Sequence, residues 1–120
     1  MEVSLVESKK KNEKKRNKLE ITDKDFKDKV LESSKTVLVM FWGSWCPVCK
    51  RSQPMIEELS IEKGKDIEVF TLNIDRNPHM ATHYDVMGTP NFCIFKNGKL
   101  VLRRFGAQSK KQILEMLENL

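Results

Sequence analysis

The segment from Thr36 to Trp42 (TVLVMFW) is apolar or β-branched at both odd and even positions. Successive strand side chains point to opposite faces, so such a strand has to be covered on both, as at the centre of a sheet flanked by helices. The remaining segments must therefore supply two covering layers. Leu19 to Ile21 is a short apolar edge. Thr22 with Asp25 then forms a helix start with an acid in its first turn, and Phe26, Val30 and Leu31 recur at helical spacing, predicting a helix to about Ser34. Beyond the central strand, Met55, Ile56 and Leu59 sustain a helix from Pro47 to about Lys63, with Pro54 expected to kink it and Gly64 to stop it.

Ile67 to Ile74 reads as a second strand, and Asn77-Pro78 caps and opens a short helix to about Tyr84. Asn91 to Phe95 and Lys99 to Phe105 flank Lys96-Asn97-Gly98, where Asn-Gly signals a hairpin. Ser109 and Gln112 form a capping box for a last helix that carries Ile113, Met116, Leu117 and Leu120 on one face. The order β-α-β-α-β-α-β-β-α implies an α/β fold, a mixed central sheet of about five strands with about four helices.

A chain of 120 residues holds one domain. Its net charge of +5 invites a nucleic-acid partner, but the charge is unevenly placed. Residues 1–18 hold seven basic and three acidic side chains, and the rest holds fifteen and fourteen, close to neutral. Residues 1–17 lack aromatics and any sustained apolar period, so they read as a disordered basic extension preceding a domain over 18–120. With no ring to stack on bases, that extension is a solvated appendage. No apolar run approaches the roughly 18 residues of a membrane span, and Val3, Leu5 and Val6 precede the bases, the reverse of a secretory signal. A cytoplasmic monomer without nucleic-acid or membrane partners is expected.

The chemistry concentrates in Trp42-Gly43-Ser44-Trp45-Cys46-Pro47-Val48-Cys49-Lys50, a strand end followed by a turn and a helix start. A thiol at a helix N-terminus feels the positive end of the macrodipole and unpaired N–H groups, which lower its pKa from about 8.5 into the range of about 3.5–7.5. Cys46 is thus the expected nucleophile, and Cys49, one turn on, the resolving thiol. Pro47 suits the first helical turn, where its missing N–H costs nothing. The other chemistry open to Cys-x-x-Cys is zinc, but a structural site needs four ligands and there is no second cysteine pair; His79 and His83, at i and i+4, offer two imidazoles elsewhere. No metal or cofactor is expected beyond a redox-active Cys46–Cys49 disulfide. Cys93, between Phe92 and Ile94, is either a small core side chain or a regulatory third thiol.

Trp45-Cys46-x-x-Cys49-Lys50 after an apolar strand, Pro54 in the next helix, Gly88-Thr89-Pro90, Phe95-Lys96-Asn97-Gly98 and Phe105-Gly106 together resemble the thioredoxin family, from Lys18 to Leu120. The resemblance implies a thioredoxin fold and a thiol–disulfide oxidoreductase, most simply a protein disulfide reductase served by a thioredoxin reductase or another dithiol donor. It implies that Pro90 is a cis-proline facing the disulfide and that Thr89 offers its backbone to an extended substrate. Trp45, Pro47 and Val48 would support the site, and Trp42, Gly88 and Gly106 would border the docking surface for disulfide-containing proteins.

The sequence departs from the family in three places. Pro47-Val48 stands between the cysteines where most members have Gly-Pro, and the first-place proline is similar to glutaredoxins and to the periplasmic disulfide oxidase. The buried acid usual before the motif falls at Met40, and the lysine that usually pairs with it falls at Thr71. Their joint loss avoids an unpaired buried charge, and it removes the proton acceptor expected to assist Cys49. Resolution is therefore expected to be slower, or to rely on water or the Cys46 thiolate as base. Met87 and Asp85 also give the docking rim a different character. Val48 offers no polar hydrogen to a thiolate, so a redox potential nearer the reducing end is expected. The competing readings are a more oxidising oxidase or isomerase, and a binding module with incidental cysteines.

Overall fold

Five strands make one mixed sheet in the order β1-β3-β2-β4-β5 in a computed structural model that describes residues 19–120. The extension over 1–17 and the expected domain start at Lys18 lie outside the described residues. The strands are β1 (Glu20–Ile21), β2 (Thr36–Trp42), β3 (Ile67–Asn73), β4 (Asn91–Lys96) and β5 (Lys99–Phe105). The helices are α1 (Asp23–Phe26), continued by a π-helical segment over Lys27–Leu31, α2 (Pro47–Glu62), α3 (Pro78–His83) and α4 (Lys110–Glu118). β1 and β2 both pair with β3 in parallel, whereas β4 is antiparallel to β2 and to β5.

The two-sided apolar pattern of β2 is resolved into two cores. Val37, Val39 and Phe41 face a layer with Phe26, Val30, Phe70, Leu72, Ala81 and Phe95, beneath α1 and α3. Leu38 and Met40 face the other, with Ile56, Leu59, Phe92, Ile113 and Met116, beneath α2 and α4. Burying a strand on both faces removes apolar side chains from water twice over, at about 25 cal/mol per Å². Lys110 ties the two helices of this second layer at their surface, reaching Glu58 at 3.5 Å and Glu62 at 2.6 Å.

Local chemistry sets the boundaries. Thr22 and Asp25 form a reciprocal capping box, as do Ser109 and Gln112. Asn97 and Gly98 take φ of 53° and 78°, the left-handed pair that a two-residue hairpin of type I′ requires. The first helical stretch ends at Leu31 and not near Ser34, after its π-type turn, and β3 ends at Asn73, one residue short of Ile74. α2 continues through Pro54, which forgoes the bond its N–H would give to the Lys50 carbonyl. Gly64 follows the end of α2, but a left-handed backbone is not the reason. A Cβ there would lie 2.6 Å from the Ser60 carbonyl oxygen, so close approach selects glycine. Asn77 precedes α3 without capping it through its side chain. That task falls to Asp23 of α1, whose carboxylate accepts the N–H groups of His79 at 3.1 Å and Met80 at 3.0 Å.

Candidate active site

β2 and β3 run in parallel and end together, with Trp42 opposite Asn73, so the segments that leave them lie side by side. The turn after β2 carries Cys46 to the N-cap of α2 and Pro47 into its first turn. Cys46 and Cys49 are joined as a disulfide, their Cα atoms 5.3 Å apart. Both side chains are buried, and Cys46 Sγ accepts the N–H of Cys49 at 3.2 Å. That bond, together with the helix N-terminus, stabilises negative charge on Cys46 once the disulfide is reduced. Lys50 adds the helical bond from its N–H to the Cys46 carbonyl at 3.3 Å.

The turn is fastened by groups from the segment after β3. Asp75 accepts the Ser44 N–H at 2.8 Å and the Trp45 indole N–H at 3.1 Å, bonds that hold its carboxyl below the usual aspartate value. Asn73 donates its side-chain amide to Ser44 Oγ at 3.1 Å and accepts the Asp75 N–H at 2.9 Å. Gly43 is buried with the Trp45 ring 3.0 Å from the position a Cβ would take. Asp75 and Asn73 lie outside the segment that the sequence singled out, and Ser44, within it, had no expected role. Asn73-x-Asp75 at a strand end is a turn signal, and only the pairing of β2 with β3 places it against the cysteine turn.

Pro90 is buried and follows a cis peptide bond from Thr89, and the Thr89 hydroxyl is buried without a hydrogen-bond partner among the described residues. Gly106 donates its N–H to the Pro90 carbonyl at 2.8 Å, with φ of 91° and open space where a side chain would stand. Gly88 lies under the Phe105 ring, 2.6 Å from where its Cβ would be. Val48 and Trp42 are half-buried, while Trp45 is 65% exposed.

Met40 and Thr71 are fully buried neighbours in the sheet register, as neutral side chains in place of a charge pair. A carboxylate nevertheless reaches this row from the next strand. Glu20 on β1, paired with Thr71, accepts the Thr71 hydroxyl at 2.7 Å, the Trp42 indole N–H at 3.0 Å and the Asn73 N–H at 3.0 Å. Burial outweighs these bonds and raises its carboxyl above the usual glutamate value. The row therefore retains an acid, contributed by β1 where the sequence directed attention only to β2 and β3.

Cys93 is fully buried in β4, with its sulfur 3.6 Å from Asn91 Oδ1 and its thiol pushed up to about 12 by burial. A neutral, inaccessible thiol behaves as core and not as a redox switch. His79 and His83 are exposed on α3, and no group of three or more metal-capable side chains occurs among the described residues. Nor is any described helix long and apolar enough to cross a membrane.

The family model for thioredoxin matches residues 17–119. The thioredoxin of Buchnera aphidicola subsp. Baizongia pistaciae is 42% identical over 99 residues, 82% of this chain and 91% of that protein. The thioredoxin of Acidithiobacillus ferridurans is 41% identical over 101 residues, covering 84% and 94%. That of Mycobacterium tuberculosis is 39% identical over 101 residues, covering 84% and 87%.

Proposed function

The chain belongs to the thioredoxin family and is a protein-disulfide oxidoreductase acting as a reductase, and from that premise we propose how its site divides the work. The Cys46 thiolate attacks one sulfur of a substrate disulfide; a Cys46–substrate bond forms and the other substrate sulfur leaves as a thiolate. Cys49, deprotonated, attacks Cys46 Sγ, which frees the second substrate thiolate and closes the Cys46–Cys49 disulfide. Two electrons and two protons from a thioredoxin reductase or another dithiol donor restore the reduced pair.

The observation that carries this assignment is the position of Cys46 as the N-cap of α2 with its sulfur on the Cys49 N–H. Trp45, Pro47, Val48, Thr89 and Pro90 support the pair. Trp42, Gly88 and Gly106 border the docking surface, joined by the exposed apolar side chains of Met87 and Phe105. A shallow groove of about 350 Å³ lined by Met87, Gly88, Arg103 and Phe105 lies in this rim and suits an extended polypeptide with apolar side chains. The domain begins near Lys18, residues 1–17 are an appendage, and the protein works as a cytoplasmic monomer on protein disulfides without nucleic acid or membrane.

The division of labour is tested by trapping. Cys49→Ser, incubated with oxidised insulin, is expected to accumulate a mixed disulfide on Cys46, released by dithiothreitol and visible by intact mass. An adduct on Cys93, or no adduct while the variant still reduces insulin, would overturn the assignment.

A further inference from the structure

A half-buried carboxylate on a strand is costly unless its lone pairs are used, and those of Glu20 are used in one direction. Oε1 accepts from Thr71 and Trp42, and Oε2 from the Asn73 backbone. Trp42 ends β2, four residues before Cys46, and Asn73 extends its own amide to Ser44 in the middle of the turn. The carboxylate thus holds the start of the cysteine turn directly and its middle through one residue. A groove of about 380 Å³ lined by Glu20, Trp42, Ser44, Gln53, Asn73 and Arg76 gives solvent protons access to it.

We propose that Glu20 is a positioning residue of the active-site turn and that its ionisation is coupled to the redox state of Cys46 and Cys49. The inference rests on that pair being the redox couple. Of the three donors, the Trp42 and Asn73 N–H groups can only donate, whereas the Thr71 hydroxyl can turn round and accept. Ionised, Glu20 satisfies all three. Protonated, it must turn an O–H toward the Thr71 hydroxyl or toward water in the groove, and the bond that the protonated oxygen accepted from an N–H or O–H donor weakens. Burial, which holds this carboxyl above the ordinary range, brings the change closer to neutral pH. Of the groups facing Glu20, Arg76 after β3 is the cation and favours the ionised form; Gln53 of α2, Trp42 of β2, Thr71 and Asn73 of β3 and Thr22 ahead of α1 are uncharged.

Reduction creates a thiolate at Cys46. β1 lies two strands from β2 and Cys46 four residues beyond the end of β2, so the thiolate opposes the Glu20 charge at long range and through the shared turn. Linkage is reciprocal: if Glu20 ionisation biases the couple, the couple must move the Glu20 pKa.

The test is a carboxyl-carbon NMR titration of Glu20 in the full chain, oxidised and reduced, over about pH 3–9, with the Cys46 β-carbon reporting where the thiolate forms in the reduced protein. The Glu20 pKa is expected to be higher in the reduced protein by about 0.3–1 pH unit. Equal values in the two forms, with two thiols appearing on reduction, would overturn this inference and leave the cysteine assignment standing. In Glu20→Gln, the step that Glu20 places in the pH profile of insulin reduction, above the ordinary glutamate range, is expected to vanish. A step unchanged in that variant would equally overturn it.

Discussion

Cys46→Ser is expected to bring insulin reduction down to the uncatalysed rate, a loss of at least about 10³-fold in kcat/KM. The helix N-terminus and the Cys49 N–H stabilise charge on whatever atom occupies the N-cap, but they cannot make a hydroxyl ionise near neutral pH as they can a thiol. Serine also cannot form the disulfide through which electrons are passed on. The buried Cys93 does not replace it, because its thiol is neutral and enclosed. The fold should survive: Ser is a strong N-cap residue and accepts the same N–H. Circular dichroism and the unfolding midpoint should therefore stay close to those of the reduced wild type while activity disappears. Retention of more than about a tenth of the activity would place the nucleophile elsewhere.

Phe26→Ala is expected to be the opposite kind of variant, destabilising by about 3–5 kcal/mol with chemistry intact in the molecules that remain folded. Phe26 is fully buried where α1 meets the sheet, with ring centroids 5.4 Å from Phe95, 5.7 Å from Tyr84 and 6.3 Å from Phe41. Truncation leaves a cavity bounded by rings from a strand pair and a loop that cannot all collapse into it. Domains of this kind have only about 5–15 kcal/mol to lose. Because the cavity opens on the α1 and α3 side, whereas the cysteine helix covers the other face, activity per folded molecule should be preserved. Urea unfolding reads this as a lower midpoint at unchanged slope. Ile61→Ala, on an exposed position of α2, is the control and should change stability by no more than about 0.5 kcal/mol. A cost below about 1 kcal/mol for Phe26→Ala would mean that this aromatic cluster is not the anchor of its layer.

The contrast between these positions also explains what the sequence discloses and what it withholds. Periodicity reports which face a side chain occupies, and so β2, the two cores and the hairpin were legible from apolar spacing and Asn97-Gly98. Spacing along one helix placed Cys46 and Cys49 within reach of each other. Contacts between segments far apart in sequence are different. Asp23 capping α3, Asp75 on Ser44 and Trp45, and Glu20 on Trp42 span 56, 31 and 22 residues, and nothing local to either partner announces them. Each depends on which strands are neighbours. Glu20 shows the cost most plainly. Met40 and Thr71 read as the loss of an acid, because an acid arriving from β1 becomes visible only once β1 is seen beside β3. The π-type turn after α1 and the register shift between Ile94 and Phe95 likewise lie below the resolution of a hydrophobic pattern.

The central claim is that the Cys46–Cys49 pair works as a reductant of protein disulfides. Cys-x-x-Cys oxidoreductases span about −270 mV, where thioredoxin itself sits, to about −120 mV for the strongest oxidant, a range known for the class and not inferred from this chain. Strong oxidants stabilise their reduced form, and here the residues between the cysteines give the thiolate little beyond the Cys49 N–H, since Pro47 has no donor and Val48 no polar side chain. Equilibration of the full chain with glutathione buffers of stepped potential, read by alkylation of Cys46 and Cys49, measures the couple directly. A midpoint toward −270 mV is the predicted result, and one above about −170 mV would contradict the assignment as a reductase.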